Sequence, residues 1–351
     1  MFDNIKWLIS PDLNQESEEN EIVVSTRIRV ARNIEGIPFE IKMKNQDAEK
    51  LVQVVKSAIE MNFKGKYLDL QKMKPLEKES LFESHLISPA IIKKEQPTAV
   101  FINEKGNITI MVNEEDHLRI QGLSCGLNLT NIASAVYEFE EILGQELGYA
   151  YNENYGFITS CPTNLGTGLR ASVLFHLPGL VYTNEIDKIL KSTLNLGMTV
   201  RGLYGEGTEI KGNLFQISNQ HTLGFKEDEL IEKINKFARM LIDLEKKARD
   251  AIIERARYEL EDKIYRSIAI LRSARLINSD EVLNLLSAVR LGIGLGIIKG
   301  IEVNILNEIM LITRPGNIQL YYGEILEEQE RDLKRAEYIR NRLAKIETTT
   351  V

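Results

Sequence analysis

Apolar and polar positions alternate through IVVSTRIRVARNI, Ile22 to Ile34, the period-two pattern of a strand, and this alternation puts Arg27 and Arg29 on the same face. A polar, acidic stretch over residues 11–21 leads into it. Over residues 46–62 the apolar spacing lengthens to a helical period, and LFESHLISPAII then carries His85 ahead of a proline that marks an irregular turn. Residues 98–123, TAVFINEKGNITIMVNEEDHLRIQGL, predict two strands joined at Glu104 to Asn107, with Gly106 supplying the turn of an antiparallel hairpin. A helix is expected over residues 129–143, then a strand in YGFITSCPT, a helix in VYTNEIDKILKSTLNLG and a strand in MTVRGLYGEG.

Beyond residue 226 the character changes. EDELIEKINKFARMLIDLEKKARDAIIERARYELEDKIYRSIAIL repeats its apolar residues at steps of three and four, no convincing strand follows, and the charged helix LEEQERDLKRAEYIRNRLAKIE ends in a TTTV tail. The expected fold class is α+β: an antiparallel sheet flanked by helices over residues 1–248, followed by an all-α domain over residues 249–351. No internal repeat or low-complexity linker interrupts the chain.

Composition narrows what such a molecule can do. The 351 residues are 43% hydrophobic and 27% charged, enough apolar content for a sizeable core. The net charge of −7 provides no basic field for nucleic acid or an anionic membrane, so neither is expected as a partner, and a bound anion must meet positioned arginines. Two cysteines, Cys125 and Cys161, make no disulfide framework, which fits a reducing cytoplasm. The start of the chain lacks a signal-like charge and apolar pattern, and no run of eighteen apolar residues occurs, so a chain neither exported nor membrane-spanning is expected.

Five arginines stand near glycines or strand ends: Arg27, Arg29, Arg119 after NEEDH, Arg170 closing NLGTGLR, and Arg201 in RGLYGE. Guanidinium forks meet phosphate oxygens with paired, charge-assisted hydrogen bonds, so five of them could replace a Walker-type loop, which is absent. LGIGLGIIKG, residues 291–300, misses dinucleotide spacing at Ile297 and reads as helix packing. Carboxylates occur as Glu114, Glu115 and Asp116 at a strand end and as Glu206 between two glycines. Ion pairing with nearby arginines explains such acids; so does a guanidinium substrate, whose nitrogen becomes nucleophilic only when carboxylates orient it and accept a proton. Cys161, with Thr163 two residues on as a hydrogen-bond donor, could be a thiolate among arginines or an inert thiol. A Cys/His hydrolase is a competing reading, with His85, His117, His176 or His221 as base and nothing in the spacing to select one.

CPTNLGTGLR resembles the active-site block of the ATP:guanido phosphotransferases, the creatine and arginine kinase family, and STRIRVARN, NEEDHLRI, RASV, RGLYGEG and ISNQHTLG follow that family's order. The resemblance implies that ATP lies against Ser25, Thr26, Arg27, Ile28 and Arg29, against Arg170, Ala171, Ser172, Val173 and Leu174, and against Arg201, Gly202, Leu203, Tyr204, Gly205 and Glu206. It adds Arg119 to the phosphate clamp and His85 near the adenine, with Mg²⁺ held mainly through the nucleotide phosphates and no protein metal site. Glu115, Glu206 and Cys161 are the implied catalytic set, Glu115 the favoured base.

The first arginine strand begins near residue 22, whereas small-guanidine kinases carry a helical domain before it, so a pocket open to an arginine side chain on a protein is expected. With a helical region following instead, the chain is similar to the bacterial protein-arginine kinases of the McsB type, which mark proteins for Clp-protease degradation. That branch implies a phosphoarginine-binding motif at Arg331, Asp332, Arg335 and Ala336, a homodimer or higher oligomer, and as partners a zinc-binding activator, the Clp unfoldase/protease and a repressor substrate. By spacing alone, Arg331 and Arg335 share a helix face, and Asp332 can pair with Arg335. The alternatives are a kinase of free arginine or another small guanidine, and a non-catalytic phosphoarginine-binding adaptor.

Overall fold

The computed structural model describes residues 5–9, 19–202 and 211–344. Its strands are β1 (Val23–Arg32), β2 (Gly65–Asp69), β3 (Ala99–Asn103), β4 (Ile108–Val112), β5 (Leu118–Cys125), β6 (Tyr151–Asn152), β7 (Gly156–Phe157), β8 (Leu169–His176), β9 (Met198–Arg201) and β10 (Leu214–Asn219). Eight of them form one sheet in the order β2-β3-β4-β5-β1-β8-β10-β9, every neighbouring pair antiparallel, and β6 and β7 form a separate small hairpin. The arginine strand β1 is central, between β5 and β8.

The helices are α1 (Lys6–Ile9), α2 (Asn45–Asn62), α3 (Pro75–Glu83), α4 (Pro89–Ile92), α5 (Leu129–Leu147), α6 (Pro178–Tyr182), α7 (Ile186–Asn195), α8 (Glu227–Ser273), α9 (Ser279–Gly294), α10 (Val303–Ile312), α11 (Pro315–Tyr322) and α12 (Glu328–Ala344). Alternation along the strands divides their side chains between two cores. Ile28 and Val30 of β1 and Ala171 and Val173 of β8 join α2, α5 and the first half of α8 in one. Val24, Leu123, Leu174 and Leu214, from the other sheet face, join Trp7 and the C-terminal helices in the second. That second face is thus apolar at one end and polar at the other, and the polar end holds the candidate site.

Helix α8 serves both cores: Leu230, Ile234, Phe237 and Leu241 belong to the first, Leu260, Ile264 and Leu271 to the second. Its helical dihedrals break at Ala256 (φ −144°, ψ 43°), between the two sets. The expected border after residue 248 falls inside this helix.

Three local expectations differ from the structure. Residues 98–123 contain three strands rather than two, because Asn113 adopts φ 59° and its N–H reaches the His117 carbonyl at 2.8 Å, folding NEEDH into a tight turn between β4 and β5. YGFITSCPT keeps only Gly156–Phe157 as strand; Pro162 lacks an N–H to donate, and Cys161 leads into a single 3₁₀ turn. VYTNEIDKILKSTLNLG is split into α6 and α7 by Asn184 at φ 58°.

Candidate functional site

At the polar end of the sheet lies a cleft of about 700 Å³ lined by Arg27, Arg29, Arg119, Arg170 and Arg201, with Glu114, Glu115, His85, Cys161 and Thr163 around it. Four adjacent strand pairings assemble it. Arg27 and Arg29 come from β1, Arg119 from β5, Arg170 from β8 and Arg201 from β9. Arg29 stands directly opposite Arg170 across the β1–β8 pair, a like-charge juxtaposition that costs stability unless an anion joins it. Both β1 arginines keep some surface in the cleft, yet enough protein surrounds them that desolvation is the largest influence on each. It and the charges of Arg170, Arg119 and Arg201 lower the Arg27 pKa to about 10. For Arg29 the fall is larger, again from desolvation first and then from Arg27, Arg119 and Arg170, with Glu114 opposing.

Neutral acceptors hold two of the guanidiniums, Arg27 and Arg170. Gln216 Oε1 accepts from Arg27 Nη2 at 3.0 Å. Ser218 Oγ and Thr199 Oγ1 accept from Arg170 Nη2 at 3.0 and 3.1 Å. The sequence reading missed all three, although Gln216 and Ser218 alternate with apolar neighbours in LFQISN, the signal of strand β10.

The two glutamates of the NEEDH turn differ. Glu114, with its side chain 2% exposed, accepts from Arg119 Nη1 at 2.7 Å and from Ser88 Oγ at 2.5 Å. Glu115 is 38% exposed and meets Arg119 Nη2 at 3.2 Å, leaving carboxylate surface for a ligand. Buried Asp116 pins this turn to the cysteine loop: its carboxylate accepts from Ser160 N at 2.6 Å, Asn33 Nδ2 at 2.7 Å and Asn164 Nδ2 at 3.3 Å. Cys161 Sγ lies 3.0 Å from Thr163 Oγ1. Gly168, at φ 61°, brings the loop against β1 so closely that a Cβ there would sit 2.7 Å from the Ala31 carbonyl oxygen.

Not every expected contact residue faces the cleft. Ser25, Ser172 and Leu174 line a small pocket beside it with Trp7, His85 and Arg27. Ile28, Ala171 and Val173 point into the opposite core, and Thr26 is buried, donating to the Gly126 carbonyl at 2.6 Å and accepting from Asn128 N. Gly202 is buried after β9; Leu203, Tyr204, Gly205 and Glu206 lie outside the described residues. His85 flanks the cleft at φ 61°, and desolvation, then Arg27 and Arg314, hold its imidazole neutral, with a pKa lowered to about 3.

Two other histidines proposed as bases have structural engagements. His117 Nδ1 accepts from Ile34 N at 2.9 Å and its Nε2 donates to the Pro38 carbonyl at 3.0 Å; His176 is fully buried, with Nε2 2.7 Å from Ser287 Oγ. In the C-terminal region, Arg335 is 2% exposed, donating to the Thr313 and Ile277 carbonyls at 2.6 and 2.9 Å and pairing with Asp332. Arg331 is half-buried and donates to the Leu326 carbonyl at 3.0 Å, and Ala336 is buried.

Comparison with known proteins identifies the family. A family model described as the ATP:guanido phosphotransferase C-terminal catalytic domain matches residues 47–248, and one described as the protein-arginine kinase McsB C-terminal domain matches residues 257–351. The chain is 46% identical over 345 residues to the protein-arginine kinase of Bacillus subtilis (strain 168), covering 97% of this chain and 94% of that protein. Identity to the protein-arginine kinase of Geobacillus sp. (strain WCH70) is 43%, over 95% and 94% of the two chains. Among solved structures, the duplicated taurocyamine kinase from Schistosoma mansoni with bound transition-state-analog components superposes with a TM-score of 0.59 at 32% identity, over 64% of this chain and 33% of its own. Lombricine kinase gives 0.59 at 25% identity, over 67% and 68%. Cleft, sheet and both matched segments together place the chain in the ATP:guanido phosphotransferase family, in its protein-arginine kinase branch.

Proposed function

We propose that this protein transfers the γ-phosphoryl group of ATP to arginine side chains of proteins, with the sheet cleft as its active site. The observation that supports this most is the crowding of five guanidiniums beside two carboxylates of unequal exposure and a cysteine loop. Such a cavity suits a polyphosphate, and the positive charge that raises its energy when empty becomes binding energy when the anion enters. Arg27, Arg29, Arg119, Arg170 and Arg201 hold the phosphates. Mg²⁺ is assigned to the nucleotide phosphates, where it would neutralise charge.

Glu115, the exposed member of the pair, orients the guanidinium and takes its proton as the nitrogen bonds to the γ-phosphorus. The bond to the β,γ-bridging oxygen breaks, and ADP leaves with the electron pair. Glu206 is assigned the second carboxylate role. Cys161, held against Thr163, orients the guanidinium, while Asp116 keeps its loop in register with Glu115. In this reading residues 1–248 are catalytic and residues 249–351 regulatory and dimerising, with Arg331 and Arg335 taking phosphoarginine. A cytoplasmic setting, a zinc-binding activator, a repressor substrate and delivery of marked proteins to a Clp protease complete the proposal. Among the described residues no helix is long and apolar enough to cross a membrane.

The test offers γ-labelled ATP with a folded arginine-rich protein and with free arginine in parallel. Acid-labile label on protein alone is the expected result. Label on free arginine alone would make this a small-guanidine kinase, and label on neither, even with activator present, would leave a binding protein.

A further inference from the structure

Between the nucleotide side of the cleft and the C-terminal helices runs a polar seam that the transfer chemistry does not use. Glu83, the last residue of α3, is 5% exposed, and its carboxylate accepts from the first amides of α11: Gly316 N at 3.0 Å and Asn317 N at 2.8 Å. Around it, Ser80 Oγ donates to Asn317 Oδ1 at 2.5 Å, and Asn317 Nδ2 donates to the Leu311 carbonyl at 2.9 Å. Burial is costly for this carboxylate: desolvation, with Glu79, raises its pKa to about 7 against the pull of the two amides and Arg314. A Cβ on Gly316 would lie 2.9 Å from Glu79 Cγ and 3.0 Å from Glu83 Oε2, so an alanine there must displace one or both of these side chains.

The next two residues are Ser84, whose carbonyl accepts from Trp7 Nε1 at 3.0 Å, and His85, in the left-handed region at φ 61°. The His85 carbonyl accepts from Gln121 Nε2 at 2.8 Å, and its ring meets Trp7 edge-on at 6.1 Å. The left-handed turn itself is the C-terminal closure of α3, with Leu86 N donating to the Leu81 carbonyl and His85 N to the Phe82 carbonyl, both at 2.9 Å; α11 acts on this turn only through Glu83, which ties the end of α3 to it.

We propose that Glu83 is a positioning residue for the nucleotide: by fixing the end of α3 to the start of α11 it holds His85 in the cleft wall, so that the C-terminal helical region sets nucleotide affinity. This rests on the cleft being the nucleotide site. In the full-length protein, Glu83→Gln and, independently, Gly316→Ala are expected to raise the KM for ATP and the Kd for MgADP about fivefold while kcat changes less than about twofold. In a His85→Ala background the Glu83→Gln effect disappears, as coupling through one residue requires. A lower Tm with unchanged MgADP affinity in both single variants would overturn the proposal, as would a Glu83→Gln effect that persists without His85. Arg170→Ala is the control: if it weakens MgADP binding and neither seam variant does, only the positioning role fails; if it leaves binding unchanged, the nucleotide-site reading fails with it.

Discussion

Two regions of this molecule hold their arginines on opposite terms. In the cleft, Arg27 and Arg29 face Arg119, Arg170 and Arg201, and the contacts from Gln216, Ser218 and Thr199 carry no negative charge. At the far end of the same strand, Arg32 is fully buried and saturated. Glu140 and Glu227 meet it at 2.8 and 3.3 Å, the Ala31 and Thr167 carbonyls accept from Nη1, and Phe157 stacks 3.5 Å below its guanidinium. Arg249 is similar, bound to Glu245, whose carboxylate also accepts the amides of Gly179 and Leu180 that open α6. A buried cation with its counter-charge built in is costly to remove, whereas five guanidiniums gathered around Glu114 and Glu115 leave an excess of positive charge suited to an anion. The glutamates repeat the distinction, with Glu114 locked and Glu115 half-exposed.

The sharpest test of that difference is Glu115→Gln, expected to lower kcat by about 10³-fold or more while changing nucleotide affinity less than about threefold; turnover near wild type would remove Glu115 as the base. Next come the two kinds of arginine. Arg32→Ala is expected to cost about 3 kcal/mol in denaturant unfolding, because it removes a fully buried guanidinium from the Ala31 and Thr167 carbonyls and leaves the half-buried Glu140 and Glu227 without their cation. Arg27→Ala should leave stability unchanged or raised and lower kcat/KM for ATP about 100-fold, the loss of a positioned charge donor. If the two variants lose stability equally, the comparison fails. A smaller effect, about tenfold in kcat, is expected for Cys161→Ser, since a side chain that only orients the guanidinium is less essential than the base; complete loss with normal substrate affinities would contradict it.

The smallest effect concerns pH. Burial, then the charges of Arg249 and Arg290, hold the His176 pKa well below its usual 6.5, so the unfolded chain takes up the proton first. The stability that neutral His176 contributes is therefore complete above pH 6.5 and is lost as pH falls, by up to about 1.4 kcal/mol per pH unit. His176→Gln should flatten the fall in unfolding free energy between pH 6.5 and 5. An unchanged slope would move the acid sensitivity elsewhere.

The α+β class, the antiparallel pairing and the helical C-terminal region were legible because each rests on local periodicity, and the cleft arginines because they sit on alternating positions of recognisable strands. NEEDH was legible as chemistry and not as geometry: one left-handed asparagine, Asn113, decides that it is a turn. Asp116 was visible as an acid, but its role depends on Asn33, Ser160 and Asn164, which reach it from other parts of the chain.

Arg27, Arg29 and Arg32 show where the division falls. Their spacing alone sets the first two on one sheet face and the third on the other, since side chains alternate along a strand. That Arg32 is a structural lock was decided by Glu140 and Glu227, 108 and 195 residues away. Likewise, nothing near Glu83 announces that its partners are the amides of Gly316 and Asn317, more than 230 residues on. Periodicity and residue chemistry are local and can be read along the chain, whereas charge compensation acts through space, and only the folded sheet and its packed helices determine which charges meet.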